Sequence, residues 1–355
     1  MFSLRPQADA TCYSQSQLDN IIKNIKAKKN TLVLGPEKIG KSTFLLHMGS
    51  KLEKTCSPIL YTAANTIDLK SYIRHNLLSI LKAYKDIFPE PKSLTTLSIL
   101  ELDNAIAQLK LSDTAKQSLK ILLLYESDPN IKIEDVLKHL FTLPQLLSDN
   151  AVLLIDDAEL LPNIKSDKVS ASYLFELLKQ GSIDAPVVMA SSFRQQIEGF
   201  EELSLAPLDI DNTRALIQEQ GLSLDEKALT TLYNFAEGVP YYMNYFGRMM
   251  KYMGRSDSES IKSLMDDSLS NDLHFYFTEK LKTLSPKELP ILFCMAEHDV
   301  NTPSRISKLL NYSQTNVRRF LSIMEEKGFV TLKERGVFII NDPVFRRWIK
   351  QRSNS

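Results

Sequence analysis

The chain has 355 residues with 43 Lys or Arg against 43 Asp or Glu, so no whole-molecule field draws it to nucleic acid or an acidic surface. Its hydrophobic share of 43% and charged share of 24% are ordinary for a globular protein, and its length calls for two or three domains rather than one core. The cysteines, Cys12, Cys56 and Cys294, lie far apart with no C-x-x-C pair, which argues against a disulfide framework and for a reducing compartment. The opening MFSLRPQADATCYSQSQ has no apolar core of the signal-peptide kind, and the longest apolar run, Ile121 to Tyr125, is too short to span a bilayer. A cytosolic protein with no membrane role is the expectation.

Residues 1–15 read as a lead-in segment. Leu18, Ile21, Ile22 and Ile25 then recur at helical spacing and feed a first strand at 31–34. After a glycine-bearing loop, Phe44, Leu45, Met48 and Leu52 form the apolar stripe of a helix starting at Lys41. A second strand is predicted at 58–63 and a helix at 67–84. Residues 85–147 contain no clear strand but several helical patterns, such as Leu97-Leu100-Ile106-Leu109 and Val136-Leu137-Leu140-Phe141, and read as a helical insertion. The continuous apolar run 151–155 suits a central parallel strand buried on both faces. A helix at 173–179, a fourth strand at 186–190 and a fifth at 202–205 complete the alternation, which predicts an α/β core at 16–210 with a parallel sheet.

From Asp211 the strands stop. Ser223–Glu226 and Ser256–Glu259 have the S-x-x-E form of capping boxes, so 211–283 reads as an all-helical lid. A third such box, Ser285-Pro286-Lys287-Glu288, opens the last domain, 284–355, with proline at the first helical position. Helices at 286–298, 303–310 and 313–327 and a hairpin at 328–340 follow the order of a winged helix-turn-helix.

The loop after the first strand is Gly35-Pro36-Glu37-Lys38-Ile39-Gly40-Lys41-Ser42-Thr43, the G-x-x-x-x-G-K-[ST] register between a strand and a helix. Backbone N–H groups of such a loop point inward and cradle phosphates. Lys41 would neutralise β- and γ-phosphate oxygens, and Ser42 would offer its hydroxyl to Mg²⁺. The run Ala151-Val-Leu-Leu-Ile155-Asp156-Asp157 ends a strand in two acids. Asp156 suits the metal-holding role, and Asp157 the polarisation of an attacking water, with Glu159 behind it. Asp157 is shorter than the glutamate more usual there, so slow hydrolysis is expected. At the end of the fourth strand, Ser191 or Ser192 could meet the γ-phosphate and Arg194 a phosphate, or the serines could simply cap a loop. The five histidines show no metal-ligand spacing.

Residues 313–355 carry nine Lys or Arg against four acids, a local surplus of five in a neutral chain. Thr315, Asn316, Arg318 and Arg319 lie early in the third helix, where a recognition helix meets a groove, and Lys333 and Arg335 lie on the wing. Duplex DNA is one candidate partner. A protein partner is the other, and the pair Arg346-Arg347 could equally just solvate a helix face.

The order GPEKIGKS (35–42), LLIDDAE (153–159), ASSFR (190–194), EGVPYY (237–242) and GVFIINDPVFRRWI (336–349) resembles the AAA+ superfamily, specifically the archaeal-type ATPases allied to STAND proteins and origin-recognition initiators. The last stretch has the D-P-x-x-R-x-W form. The resemblance spans residues 16–350 and implies a three-layer P-loop core of strand order 5-1-4-3-2, a helical lid and a winged helix. It also implies ATP as the nucleotide and Gly238 and Pro240 of the lid approaching it. The P-loop, acid-ending strand and lid in sequence, followed by the last domain, lead to the expectation of a switch that closes the lid and moves the winged helix. Three features depart from the family's pattern: the large insertion, no arginine finger that can be named, and no lid arginine at the usual γ-phosphate-sensing position, Arg248 being the nearest.

Overall fold

A computed structural model describes residues 15–52, 59–63, 71, 73–74, 76–77, 98–125, 128, 130–163, 185–192 and 197–353. The expected helix at 173–179, most of that at 67–84, and Leu97, Arg194, Cys12 and Cys56 lie outside them. The described residues divide into two compact units: Gly35–Gly40 with everything from Ala206 onward, and the remainder. The loop that opens the nucleotide motif thus groups with the C-terminal half of the chain.

The sheet unit starts with helix α1 (Gln15–Lys26), then β1 (Asn30–Leu34) and α2 (Lys41–Leu52). It continues through β2 (Ile59–Ala63), α3 (Ile99–Gln108), α4 (Asp113–Leu124), α5 (Ile133–Leu147), β3 (Val152–Asp156), β4 (Val187–Ser191) and β5 (Phe200–Ser204). The strands are ordered β2-β3-β4-β1-β5, which reads 5-1-4-3-2 from the other edge, and every pairing is parallel. Each residue of β3 and β4 is buried, as a parallel strand covered on both faces requires. Both strands begin and end one residue later than expected, so Asp156 and Ser191 are still strand residues.

The region expected as an insertion belongs to this unit's core. Leu102 and Ile106 of α3, Leu119 and Leu122 of α4 and Val136 and Leu140 of α5 form one cluster with Leu32, Leu153, Ile155, Val187 and Met189 of the sheet. By strand alternation Val33, Leu154, Val188 and Ala190 face the other way, and α2 packs against β3 and β4. Leu100, taken as part of the apolar stripe, is instead exposed; Leu102 holds the core position. A true capping box opens α3, where Ser98 accepts the Glu101 N–H and the Glu101 carboxylate accepts the Ser98 N–H.

The other unit is helical up to a terminal hairpin: α6 (Ile210–Glu219), α7 (Glu226–Ala236), α8 (Pro240–Met253), α9 (Ser258–Ser270), α10 (Asp272–Leu281), α11 (Leu289–His298), α12 (Pro303–Leu310), α13 (Gln314–Glu326), β6 (Val330–Glu334), β7 (Val337–Ile340) and α14 (Pro343–Ser353). Two of the expected caps fall elsewhere. Asp225 rather than Ser223 caps α7, and Asp257 rather than Ser256 caps α9, each carboxylate accepting the free N–H three residues on. At the third box the Glu288 carboxylate accepts the Ser285 N–H, but the helix proper starts at Leu289. Phe277, Phe345 and Trp348 pack ring against ring with centroids 5.0–5.8 Å apart, and all three are buried. No helix among the described residues is long and apolar enough to cross a membrane.

Candidate nucleotide site

The loop Gly35–Gly40 joins β1 to α2. Gly40 has φ 94°, a conformation that L side chains rarely adopt, which explains the glycine there. Lys38 also lies in the left-handed region, at φ 69°, although a non-glycine residue loses roughly 1–2 kcal/mol by doing so. Ile39 turns inward and is buried.

Lys41, at the start of α2, is buried to 7% exposure, and its Nζ donates to Ser192 Oγ at 2.9 Å. Ser192 follows β4, and β4 lies between β1 and β3. Parallel pairing sets Leu34 of β1 beside Ser191 of β4, so the carboxyl ends of these strands lie on one side of the sheet. In open α/β sheets, ligands bind outside those ends. Of the two serines, Ser192 meets the motif lysine, whereas Ser191 is wholly buried in the strand.

Asp156 is the last residue of β3 and is 2% exposed; its Oδ1 accepts the Asp157 N–H at 3.0 Å. Asp157 has φ 51° and turns the chain into a 3-10 turn, its carbonyl accepting the Leu160 N–H at 2.8 Å. Glu159 follows, and its Oε2 is buried with no hydrogen-bond partner among the described residues. The hydroxyl of Ser42 and the carboxylate of Asp156 are hard oxygen donors of the kind Mg²⁺ takes. No group of three or more His, Cys, Asp or Glu among the described residues could make a protein cage for a metal. That donor set fits Mg²⁺, which keeps waters and phosphate oxygens as its other ligands.

The other half of the loop is held within the C-terminal unit. Lys38 Nζ donates to Asp342 Oδ2 at 2.8 Å and to Tyr242 Oη at 2.5 Å, and Tyr242 Oη–H donates to Asp342 Oδ2 at 2.6 Å. The same ammonium lies 4.3–5.3 Å from the ring centroids of Tyr241, Tyr242, Tyr276 and Phe277. Asp342 Oδ1 accepts the Val344 and Phe345 N–H groups, so the same carboxylate caps α14. Burial pulls Lys38 below the usual lysine range, and Asp342 opposes that shift. Burial pushes Asp342 up, but the Lys38 charge and the hydrogen bonds from Lys38, Tyr242 and Phe345 together hold it below the ordinary carboxylate value. Burial beside Asp342 raises Tyr242 well above the usual phenol range, so it stays a donor. Nearby, Lys280 Nζ pairs with Glu37 Oε2 at 2.6 Å.

Asp342 and Tyr242 were not among the expected site residues. Both stood in quoted stretches, D-P-x-x-R-x-W and EGVPYY, but nothing in their spacing tied them to a loop residue some two to three hundred positions away. The rest of the D-P-x-x-R-x-W ending is explained with them: Pro343 is the first residue of α14, Arg346 pairs with Glu237, and Trp348 fills the aromatic core.

Gly238 and Pro240 were expected beside nucleotide. A Cβ on Gly238, at φ 76°, would lie 2.0 Å from the Leu208 carbonyl oxygen, and the Gly238 carbonyl accepts the Leu208 N–H at 2.9 Å. The glycine is accounted for by that backbone approach. Pro240 opens α8, and the next N–H, from Tyr241, donates to the Lys38 carbonyl at 3.3 Å. Arg248 lies well along α8.

Thr315, Asn316, Arg318 and Arg319 are exposed on the first turns of α13, and Lys333 and Arg335 are exposed on the hairpin. The surplus of basic residues is smaller as a surface than as a count. Lys327 pairs with Glu288 at 2.8 Å, Lys350 with Asp299 at 2.6 Å, and Arg347 Nε donates to the Phe235 carbonyl at 3.0 Å. Arg346 and Arg347 therefore fasten α14 to the end of α7 rather than solvating a helix face.

No protein-family model matches the chain, and no curated protein matches it. Among solved structures it is similar to a Walker-type ATPase of Pyrococcus abyssi, with a TM-score of 0.67 and 16% identity over 98% of this chain and 99% of that one. Looser likenesses reach Cdc6p from Pyrobaculum aerophilum, at TM-score 0.43 and 13% identity over 99% and 97% of the two chains. They also reach a STAND protein with a tetratricopeptide repeat sensor from Pyrococcus horikoshii, at 0.35 and 16% over 100% and 45%. The first of these carries the assignment: the chain has the fold of a Walker-type P-loop ATPase.

Proposed function

We propose that the protein is an AAA+ ATPase working as a molecular switch: it binds ATP·Mg²⁺, hydrolyses it slowly, and passes its nucleotide state to a C-terminal winged helix at 284–355 through the helical lid at 211–283. The observation that carries this is Lys41 held on Ser192 at the carboxyl ends of β1 and β4, with Asp156 ending β3. The backbone N–H groups of the loop from Gly35 to Thr43, Pro36 having none, cradle the phosphates, and Lys41 neutralises their charge. Ser42 and Asp156 hold Mg²⁺, which neutralises charge developing on the phosphate oxygens when bound. Asp157 orients the attacking water, with Ser192 beside the γ-phosphate, and the sequence offers Arg194 as a further phosphate contact. A ligand shifts a conformational equilibrium only by its differential affinity for two states. ATP and ADP are therefore expected to favour different arrangements of the lid and winged helix.

The exposed Thr315, Asn316, Arg318, Arg319, Lys333 and Arg335 support duplex DNA as what the winged helix meets, with phosphate contacts from the cations. A second reading, an interaction scaffold or signalling ATPase that binds a protein and no DNA, is favoured by Leu309, Leu332 and Ile339, which leave apolar surface exposed on the same segment. ATP turnover measured with and without duplex DNA, on the natural chain and on Lys41→Ala, tests both levels. Turnover that vanishes in Lys41→Ala and rises with duplex supports the first reading. Turnover insensitive to duplex supports the second, and turnover surviving Lys41→Ala contradicts both.

A further inference from the structure

We infer that Asp342 is a positioning residue for the P-loop: by clamping the Lys38 side chain it holds the loop in the left-handed turn that phosphate binding uses, and so makes nucleotide affinity depend on the seating of α14. The inference rests on the nucleotide reading of the loop and goes beyond it, because no P-loop motif assigns work to that variable position or to the C-terminal helix.

The geometry argues it in three steps. First, Lys38 sits at φ 69° between Gly35 and Gly40, where glycine would be free of strain and lysine is not. Such a conformation persists only when its surroundings over-determine it. Second, those surroundings are specific. The Lys38 side chain is 10% exposed and that of Asp342 11%; the ammonium meets a carboxylate and a phenol oxygen inside four aromatic rings, and the Lys38 carbonyl is fixed by the Tyr241 N–H. Third, the clamp is not free to adapt, since the Asp342 carboxylate is simultaneously the cap of α14. A displacement of α14 withdraws the anchor from a loop residue three positions before Lys41. A loop held in its binding shape saves the ordering cost that a ligand would otherwise bear, so loss of the clamp weakens binding.

The test is ADP affinity of the full chain by calorimetry, with melting curves as a check on folding. Asp342→Asn, which keeps shape and removes charge, is expected to weaken ADP about tenfold, the cost of an unsupported left-handed lysine. In a Lys38→Gly background, where the turn needs no clamp, the same Asp342→Asn change is expected to alter affinity by less than about twofold. If Asp342→Asn fails to fold, Tyr242→Phe decides, with a loss of about threefold expected from removing one hydrogen bond to the clamp. Unchanged affinity in folded Asp342→Asn, or in Tyr242→Phe, overturns the inference, as does an undiminished effect of Asp342→Asn on Lys38→Gly. If Lys41→Ala binds ADP as the natural chain does, the nucleotide reading itself fails and takes this inference with it.

Discussion

Two lysines three residues apart in one loop have opposite lives. Lys41, the lysine of the G-x-x-x-x-G-K-[ST] motif, has among its contacts the Ser192 hydroxyl at 2.9 Å. Lys38 is locked in a buried ion pair, with aromatic rings around it, and cannot leave without stranding the Asp342 charge. The motif reserves the first for a ligand, whereas the ion pair ties the second to the conformation of the loop. The contrast divides the loop between a position that the motif gives to ligand chemistry and one that fixes conformation.

The sharpest ways to break that division begin with chemistry. Asp157→Ala should cut ATP turnover by about a hundredfold or more, as loss of a water-orienting group does, while ATP still binds. Phosphate release measures it, and an unaltered rate there with a fall in Glu159→Gln would move the role to Glu159. On the shape side, Asp342→Ala should cost about 3–5 kcal/mol in urea unfolding, because it strands a buried ammonium. The apolar exchange Lys38→Met with Asp342→Leu should cost much less. Asp342 is held below its ordinary value, so the stability it gives is present above about pH 4 and is lost as pH falls through the lower folded value. Asp342→Asn should flatten that acid limb. Gly238→Ala should destabilise the chain by about 2 kcal/mol or more through the Leu208 clash and the positive φ. If it instead weakened ADP without changing the melting temperature, the glycine would be a ligand contact. The smallest effect is expected at α13, the helix proposed to meet duplex DNA. Arg318→Ala with Arg319→Ala should lower the salt slope of duplex binding by about 0.9 for each phosphate no longer neutralised.

The candidate site residues could be picked out in the sequence because each pattern is local. The P-loop, the acid-ending strand and the strand before Ser192 are each written within a few consecutive residues, although the three lie far apart in the chain. The sheet was legible for the same reason: fully buried parallel strands read as short apolar runs, and β1, β3 and β4 lie within one residue of where those runs place them. What was not legible depends on distance in the chain. The pairing of Lys38 with Asp342 and Tyr242 joins three stretches that share no pattern, and Asp342 read only as one acid among basic neighbours. Arg346 and Arg347 read as surface charge because nothing in their own helix reveals that the end of α7 lies against them. The starts of α7 and α9 moved by two residues and by one, to Asp225 and Asp257, because serine and aspartate are equally good caps and residue type alone does not choose between them.

Nucleotide binding by the loop at 35–43 through Lys41 is best measured by calorimetric titration of ATP with Mg²⁺ into the full chain and into Lys41→Ala. Saturable one-site binding to the natural chain is expected, with a loss of about a hundredfold or more in Lys41→Ala and the melting temperature little changed. Equal ATP affinity in the two proteins would contradict that role for Lys41.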